Sequence, residues 1–335
     1  MVNINPLLKE KNLDALVLVS PKLEMVDPAF IYCTGLLDYE RAIYVGGSTK
    51  RVYVTNFEIP RARKDSFLKN VRPRPKKGFE TILKQLKGKT VGINGKSLPV
   101  NSYKMLRKHN VKTRDVSREL TRMMMIKTPA EIAKLRKAIK FTKGMFKLIE
   151  PGKSELNIAA DMAHYLMRNR AGWSFDPIIS YGKNAAIPHA KPSETKNGIC
   201  LLCDIGATWK GYHADITRTF ALKRDKRFDK AYEVVREAHD MAIDAVEPGK
   251  TAKEIHDICA NHLKKNKYKL NHSTGHGIGL TIHEWPYIGE KHSKTTLEPG
   301  MVFTVEPGVY IKGKFGIRIE DDILVTKTGR TVLSR

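Results

Sequence analysis

Over the first third of the chain, short runs rich in β-formers at residues 13–19, 41–46, 51–55 and 90–93 alternate with polar stretches such as 75–87. That spacing predicts strands alternating with helices, and so a small α/β domain over residues 1–122. The pattern changes near residues 122–127, where Met123, Met124, Met125 and Ile126 run into Thr128-Pro129-Ala130-Glu131. Thr as N-cap, Pro in the first turn and Glu closing a capping box predict the start of a helix. Ile132, Leu135, Ile139, Phe146 and Ile149 then mark its expected apolar stripe. Residues 127–335 form the second expected domain.

An internal repeat organises that second domain. Glu150-Pro151-Gly152-Lys153-Ser154 returns as Glu247-Pro248-Gly249-Lys250-Thr251, and in the same register Ile158 matches Ile255 and Leu166 matches Leu263. Each copy reads as a helix end, a Pro-Gly turn and a Ser or Thr cap on the next helix. Gly-Lys-Ser/Thr is not a phosphate loop here, because Lys147 and Asp244 stand where the earlier glycine is needed. Each helix pair is followed by β-rich segments, 199–205 with 212–220 and 301–306 with 317–325. Two halves of one plan predict pseudo-twofold packing around one shared sheet, with a site at the axis fed by both.

The polar residues planted in these apolar strands carry the chemistry. Asp204, Asp215, Glu306 and Glu320 each sit in or at the end of an apolar run, two per half. Carboxylates are seldom buried unless paired or bound to metal, and four that converge repel one another until cations neutralise them. His276, in Gly275-His276-Gly277-Ile278-Gly279, is the natural nitrogen donor, because its glycines permit close backbone approach. The glycine pattern is a poor dinucleotide fingerprint, since no strand–helix pair frames it. Cys200-x-x-Cys203 lacks a second pair and lies within a strand, which argues against structural zinc.

The ordered set Asp204, Asp215, His276, Glu306, Glu320 resembles the five-ligand site of the pita-bread metallopeptidases, the superfamily of methionine aminopeptidases, Xaa-Pro aminopeptidases and Xaa-Pro dipeptidases (prolidases). The matching stretches are Asp204-Ile205-Gly206, Gly211-Tyr212-His213-Ala214-Asp215-Ile216-Thr217-Arg218-Thr219, the His276 segment, His283-Glu284, Pro299 to Gly308, and Gly316-Ile317-Arg318-Ile319-Glu320-Asp321. The resemblance spans residue 127 to the end. It implies an α+β pita-bread catalytic domain behind an α/β N-terminal domain, the arrangement of the Xaa-Pro branch.

It also implies two divalent ions per subunit, of manganese, cobalt, iron or zinc. Asp204 would hold one, His276 and Glu306 the other, and Asp215 and Glu320 both. Glu306 would shuttle a proton to the leaving nitrogen, and His189 and His283 would steady the oxyanion and the substrate backbone. Arg318 and Thr217 would orient the ligating carboxylates, and Trp285 and Tyr287 would wall a slot for proline. Proline-containing dipeptides or short peptides are the implied substrates, and a homodimer the implied assembly. Prolidases place an Arg a few residues past the second histidine to read the product carboxylate; here Tyr287 stands at that range, followed by Lys291 and His292. This departure keeps an aminopeptidase for longer peptides open beside a dipeptidase. A non-catalytic pita-bread binding module or a metal-independent creatinase-type hydrolase fits less well, since all five ligands are kept.

Composition adds boundaries and one question. No apolar run reaches the roughly 20 residues of a membrane span, no apolar leader opens the chain, and four cysteines are too few to staple it, so a cytoplasmic setting is expected. The 60 Lys and Arg against 35 Asp and Glu leave a net charge of +25. Residues 51–126 alone hold 20 basic and 5 acidic side chains. Aromatics are sparse there and no nucleic-acid module is readable, so the segment is expected to be a solvated basic face without a nucleic-acid partner. On that reading random duplex DNA at about 0.15 M salt binds no tighter than about 10⁻⁶ M. A fluorescence-anisotropy titration checks it, and sub-micromolar binding that collapses with added salt would overturn it.

Overall fold

The computed structural model describes residues 2–22 and 26–335, in two compact units, 1–124 and 125–335. In the first unit the strands are β1 (Ala15–Ser20), β2 (Ala42–Gly46), β3 (Lys50–Val54), β4 (Val71–Pro73), β5 (Thr90–Ile93) and β6 (Lys112–Asp115). They form one sheet in the order β4-β3-β2-β1-β5-β6, antiparallel over β1–β3 and parallel at both flanks. Helices α1 (Asn5–Glu10), α2 (Pro28–Thr34), α3 (Ile59–Asp65), α4 (Phe79–Lys84), α5 (Val100–Lys108) and α6 (Ser117–Met125) complete it. β1 is buried along its whole length, because Leu16 and Leu18 pack with Phe30 and Leu36 while Val17 and Val19 pack with Leu83 and Val91. Burial on both faces is why its sequence is continuously apolar rather than alternating. β6, Lys-Thr-Arg-Asp, is a largely exposed edge with no apolar signal, and β4 is a three-residue edge; neither is foreseen by the hydrophobic pattern. The helix expected over 75–87 shrinks to α4, since Gly78 takes φ +57° immediately before it.

In the second unit α7 (Pro129–Phe146) starts where expected: the Thr128 hydroxyl accepts from Glu131 N, and Glu131 returns to Thr128 N at 2.8 Å. Its buried face is Leu135, Ala138, Ile139, Thr142 and Met145. Ile132 and Phe146 are half-buried flanks, and Ile149 lies past the helix end. The repeat is real in the backbone. Gly152 (φ +92°) and Gly249 (φ +94°) turn the chain into α8 (Glu155–Arg168) and, after α9 (Lys226–Asp244), into α10 (Ala252–Lys265), capped by Ser154 and Thr251. Ile158, Ile255, Leu166 and Leu263 are all buried.

The strands of this unit are β7 (Gly172–Trp173), β8 (Ile178–Tyr181), β9 (Cys200–Ile205), β10 (Ala207–Trp209), β11 (Tyr212–His213), β12 (Ile216–Ala221), β13 (Gly275–Gly277), β14 (Glu284–Ile288), β15 (Val302–Val305), β16 (Gly308–Ile311), β17 (Phe315–Arg318), β18 (Asp321–Val325) and β19 (Arg330–Val332). They pair as β12-β9-β8 in the first half and β14-β13-β15-β18-β19 in the second, with β11-β10-β7 and β16-β17 as smaller sheets. The single shared sheet expected from the repeat is therefore divided.

Its seam is stitched largely by side chains. The Thr219 hydroxyl donates to Arg318 O at 2.9 Å and accepts from Arg318 N at 3.1 Å. Glu320 N donates to Thr217 O at 3.1 Å, and Asp215 N to the Asp322 carboxylate at 3.3 Å. The partners step by two in opposite directions, the register of antiparallel strands, but a hydroxyl and a carboxylate replace part of the ladder. One core packs α9 and α10 with Leu202, Phe303 and Ile317, and another packs α8 with Leu201, Cys203 and Ile205. Cys200 and Cys203 fall in different cores, so they cannot share an ion. Among the described residues no helix is long and apolar enough to cross a membrane.

The seam gives a stability prediction. Thr219→Val keeps the side-chain shape and removes two hydrogen bonds, each contributing about 1 kcal/mol. Urea denaturation should show a loss of about 1–2 kcal/mol in the transition of this unit. No loss would show that the halves are held by their cores alone.

Candidate metal centre

The site lies at this seam, and each donor arrives by a simple local rule. In Gly316-Ile317-Arg318-Ile319-Glu320 the strand alternation sends Ile317 and Ile319 to the core and leaves Arg318 and Glu320 on the other face. The same alternation brings Asp215, Thr217 and Thr219 to one side of their strand. His276 sits on β13 between two glycines. A Cβ on Gly275 would stand 1.8 Å from Thr304 O, and one on Gly277 2.4 Å from Trp285 O. Neighbouring backbone presses on both, so only glycine fits.

Donor atoms of Asp215, His276 and Glu320 all lie within 4.8 Å of one another, and all three residues are buried. His276 Nε2 is 3.5 Å from Asp215 Oδ2 and 3.4 Å from Glu306 Oε1. Its Nδ1 lies 3.2 Å from Gly277 O, which places the proton on Nδ1 and turns the Nε2 lone pair to the carboxylates. Glu306 is the least buried carboxylate of the five-residue set, its side chain 17% exposed, with Thr304 Oγ1 at 3.4 Å from Oε1. Thr217 Oγ1 donates to Glu320 Oε2 at 2.6 Å. Arg318 ion-pairs with Asp204 and also reaches Thr217 Oγ1 (3.2 Å), Pro188 O and the Tyr310 hydroxyl.

The residues present fit a bound cation. Asp204 Oδ1, Asp215 Oδ1 and Glu320 Oε1 are buried oxygens without a hydrogen-bond partner, an expensive arrangement unless something positive meets them. Burial, reinforced by the neighbouring carboxylates, holds Asp215 and Glu320 well above the usual carboxylate range. Burial also lifts Glu306 to about 8, against the pull of Arg318, and lowers His276 to about 4, keeping its imidazole neutral. The raised carboxylates mark a buried pocket whose negative charge is not fully balanced. Four carboxylates and one imidazole form a hard donor set that suits manganese, iron or cobalt, with zinc also compatible.

Above the donors opens a cleft of about 870 Å³, lined by Asp204, Asp215, His276 and Glu306 at its floor. His189 and His283 are both exposed and both line it; the His283 ring meets His276 edge-on with centroids 4.3 Å apart. Of the two aromatics expected to wall the substrate slot, Tyr287 lines the cleft and Trp285 lies outside its lining. The Trp285 ring packs instead against Tyr287 and His292. Sequence reasoning missed Tyr310, His272 and Lys191, which also line the cleft. His272 Nε2 approaches the Tyr310 hydroxyl at 3.2 Å. His272 lies in irregular chain and Tyr310 on an unremarked strand, so neither carried a periodic signal.

A two-domain chain with a buried cluster of carboxylates and an imidazole at the seam of an internal repeat defines a metallopeptidase of the pita-bread fold. The chain belongs to metallopeptidase family M24, whose profile matches residues 133–327; the creatinase/prolidase N-terminal domain matches residues 3–126. An Xaa-Pro dipeptidase of Pyrococcus horikoshii is 35% identical over 306 residues, which cover 88% of this chain and 86% of that one. The crystal structure of the prolidase from the same organism superposes with a TM-score of 0.88 at 30% identity, covering 98% of this chain and 96% of that one. An X-Pro aminopeptidase from Thermotoga maritima superposes with a TM-score of 0.89 at 27% identity, covering 97% of each chain.

The electrostatics give a prediction with two readouts. Asp215→Asn or Glu320→Gln should lose more than about half of the metal retained after loading and desalting. In the metal-free protein at pH 7 the same variants should be at least as stable as the parent. A carboxyl whose pKa is raised by folding opposes folding once pH exceeds its ordinary range, and the amide removes that cost. Elemental analysis and thermal unfolding check both. Full metal content in either variant would remove that residue from the ligand set.

Proposed function

We propose that this chain is an Xaa-Pro dipeptidase that acts with two divalent cations per subunit, as a homodimer in the cytoplasm. The observation that carries the reading is the convergence of Asp215, His276 and Glu320, with orphaned carboxylate oxygens, beneath an open cleft. Asp204, Asp215, His276, Glu306 and Glu320 would hold the ions, which when bound supply Lewis-acid activation of water and of the scissile carbonyl. His189 and His283, standing in the cleft above the donors, donate to the carbonyl oxygen as it gains negative charge. Glu306, the donor most open to the cleft, carries a proton to the departing proline nitrogen. Arg318 and Thr217 hold Asp204 and Glu320 in place, so these carboxylates need not reorganise during the reaction. Four buried free cysteines are in keeping with a reducing compartment.

The cleft's spare charges favour a dipeptide. Lys191 and Asp176 both line it, both are exposed, and neither forms an ion pair among the described residues. They can receive the carboxylate and the ammonium of a short zwitterion, and Lys191 supplies the cation that Tyr287 does not. The aminopeptidase reading is kept by the Thermotoga maritima structure, which is as similar as the prolidase.

Rates on Xaa-Pro, Xaa-Pro amide and Xaa-Pro-Yaa, each with manganese, cobalt, iron or zinc, separate the two. A charge-assisted hydrogen bond contributes about 1.5–3 kcal/mol, so free Xaa-Pro should exceed its amide by about 10- to 100-fold in kcat/KM. Lys191→Ala should narrow that ratio. Equal or faster cleavage of the amide and the tripeptide would make the enzyme an aminopeptidase.

A further inference from the structure

A turn lying about 150 residues away in sequence reaches into the region of His283. Lys127 is an unusual lysine: its side chain is 1% exposed, and its ammonium is ion-paired with Glu284 and donates to Met125 O at 3.4 Å. Glu284 directly follows His283 and opens β14. Its carboxylate lies against Gly279, where an added Cβ would stand 2.5 Å from Oε1, so both ends of the loop carrying His283 are held to one point. The same turn reaches the other half. Glu131, in the capping box that begins at Thr128, accepts from the Tyr212 hydroxyl at 3.0 Å, three residues before Asp215. The two arms then meet, because His213 N donates to Gly279 O at 2.9 Å.

Burying a lysine and a glutamate is costly, and a pair of this kind is weak evidence for stability alone, since well-packed neutral residues often do as well. What an ion pair adds is direction: it fixes where the Glu284 backbone lies, and with it the preceding His283. We infer that Lys127 and Glu284 are positioning residues that hold the His283 loop, anchored on the capping turn that also holds the segment leading to Asp215. Neither lines the cleft, so each acts through a neighbour. The kinetic half of this inference rests on the peptidase reading above.

The test is the full-length double variant Lys127→Met/Glu284→Gln, which removes both charges and keeps both shapes. Displacing a catalytic group by about 1 Å can cost on the order of 100-fold. The expected result is a kcat on Xaa-Pro lower by about 10- to 100-fold, with KM within about threefold and metal content unchanged. In the zinc-loaded protein the His283 imidazole resonances, assigned with His283→Gln, should move toward those of a mobile histidine. Lys127→Arg, which keeps the charge, should restore both. A folded double variant with parental kcat and an unmoved His283 signal would show the pair to be structural only. A raised KM at constant kcat would overturn positioning in favour of substrate binding. If the double variant does not fold, Glu284→Asp, which shortens the reach by one methylene, carries the same readouts with the same meanings. If the parent cleaves no Xaa-Pro substrate, the peptidase reading fails, and the His283 resonances alone decide the clamp.

Discussion

Mutual repulsion among Asp204, Asp215, Glu306 and Glu320 is the constraint around which the second unit is built. These groups are gathered beneath a cleft with the guanidinium of Arg318 set among them. Burial first, and the neighbouring carboxylates after it, raise the protonation range of Asp215, Glu306 and Glu320. The arrangement opposes folding in the absence of cations. It is tolerated because two apolar cores flank it, one built on α9 and α10 and the other on α8. Cation binding then relieves a strain that the packing maintains.

The internal repeat explains how the donors meet. One half supplies Asp204 and Asp215 from β9 and the segment before β12. The other supplies His276 from β13, Glu306 after β15 and Glu320 between β17 and β18. Across the seam the hydroxyl of Thr219 and the carboxylate of Asp322 take backbone partners. Arg318 sits where this stitching and the site coincide: its backbone is tied to Thr219 and its guanidinium to Asp204, so the register of the seam fixes that carboxylate.

Around this rigid floor the cleft is more open. His189 and His283 are exposed, and Ile187 and Phe175 offer apolar surface beside the polar donors. Such a division suits a hydrolase, with a fixed floor of carboxylates to hold cations and an open mouth above to admit and release a small substrate. The basic side chains of residues 51–126 belong to the first unit, whose apolar cores are built without calling on that charge.

The sequence by itself determined the local and the chemical. The capping box at Thr128 and the repeated Pro-Gly turns are legible because each depends on residue type at short spacing, and the candidate donors because each is a polar residue set in an apolar strand. β1 was legible because burial on both faces leaves a continuous apolar run. What the tertiary structure decided depends on partners far apart in the chain. The division of the expected shared sheet follows from where the Thr219 hydroxyl finds Arg318. Tyr287 lines the cleft while the Trp285 ring is taken up by Tyr287 and His292, partners that residue type alone does not name. β6 carries no apolar signal, since an exposed edge buries too little to leave one. Lys127 reads as one lysine among many until the fold buries it against Glu284, for a charge acquires its meaning only from the neighbours that folding brings to it.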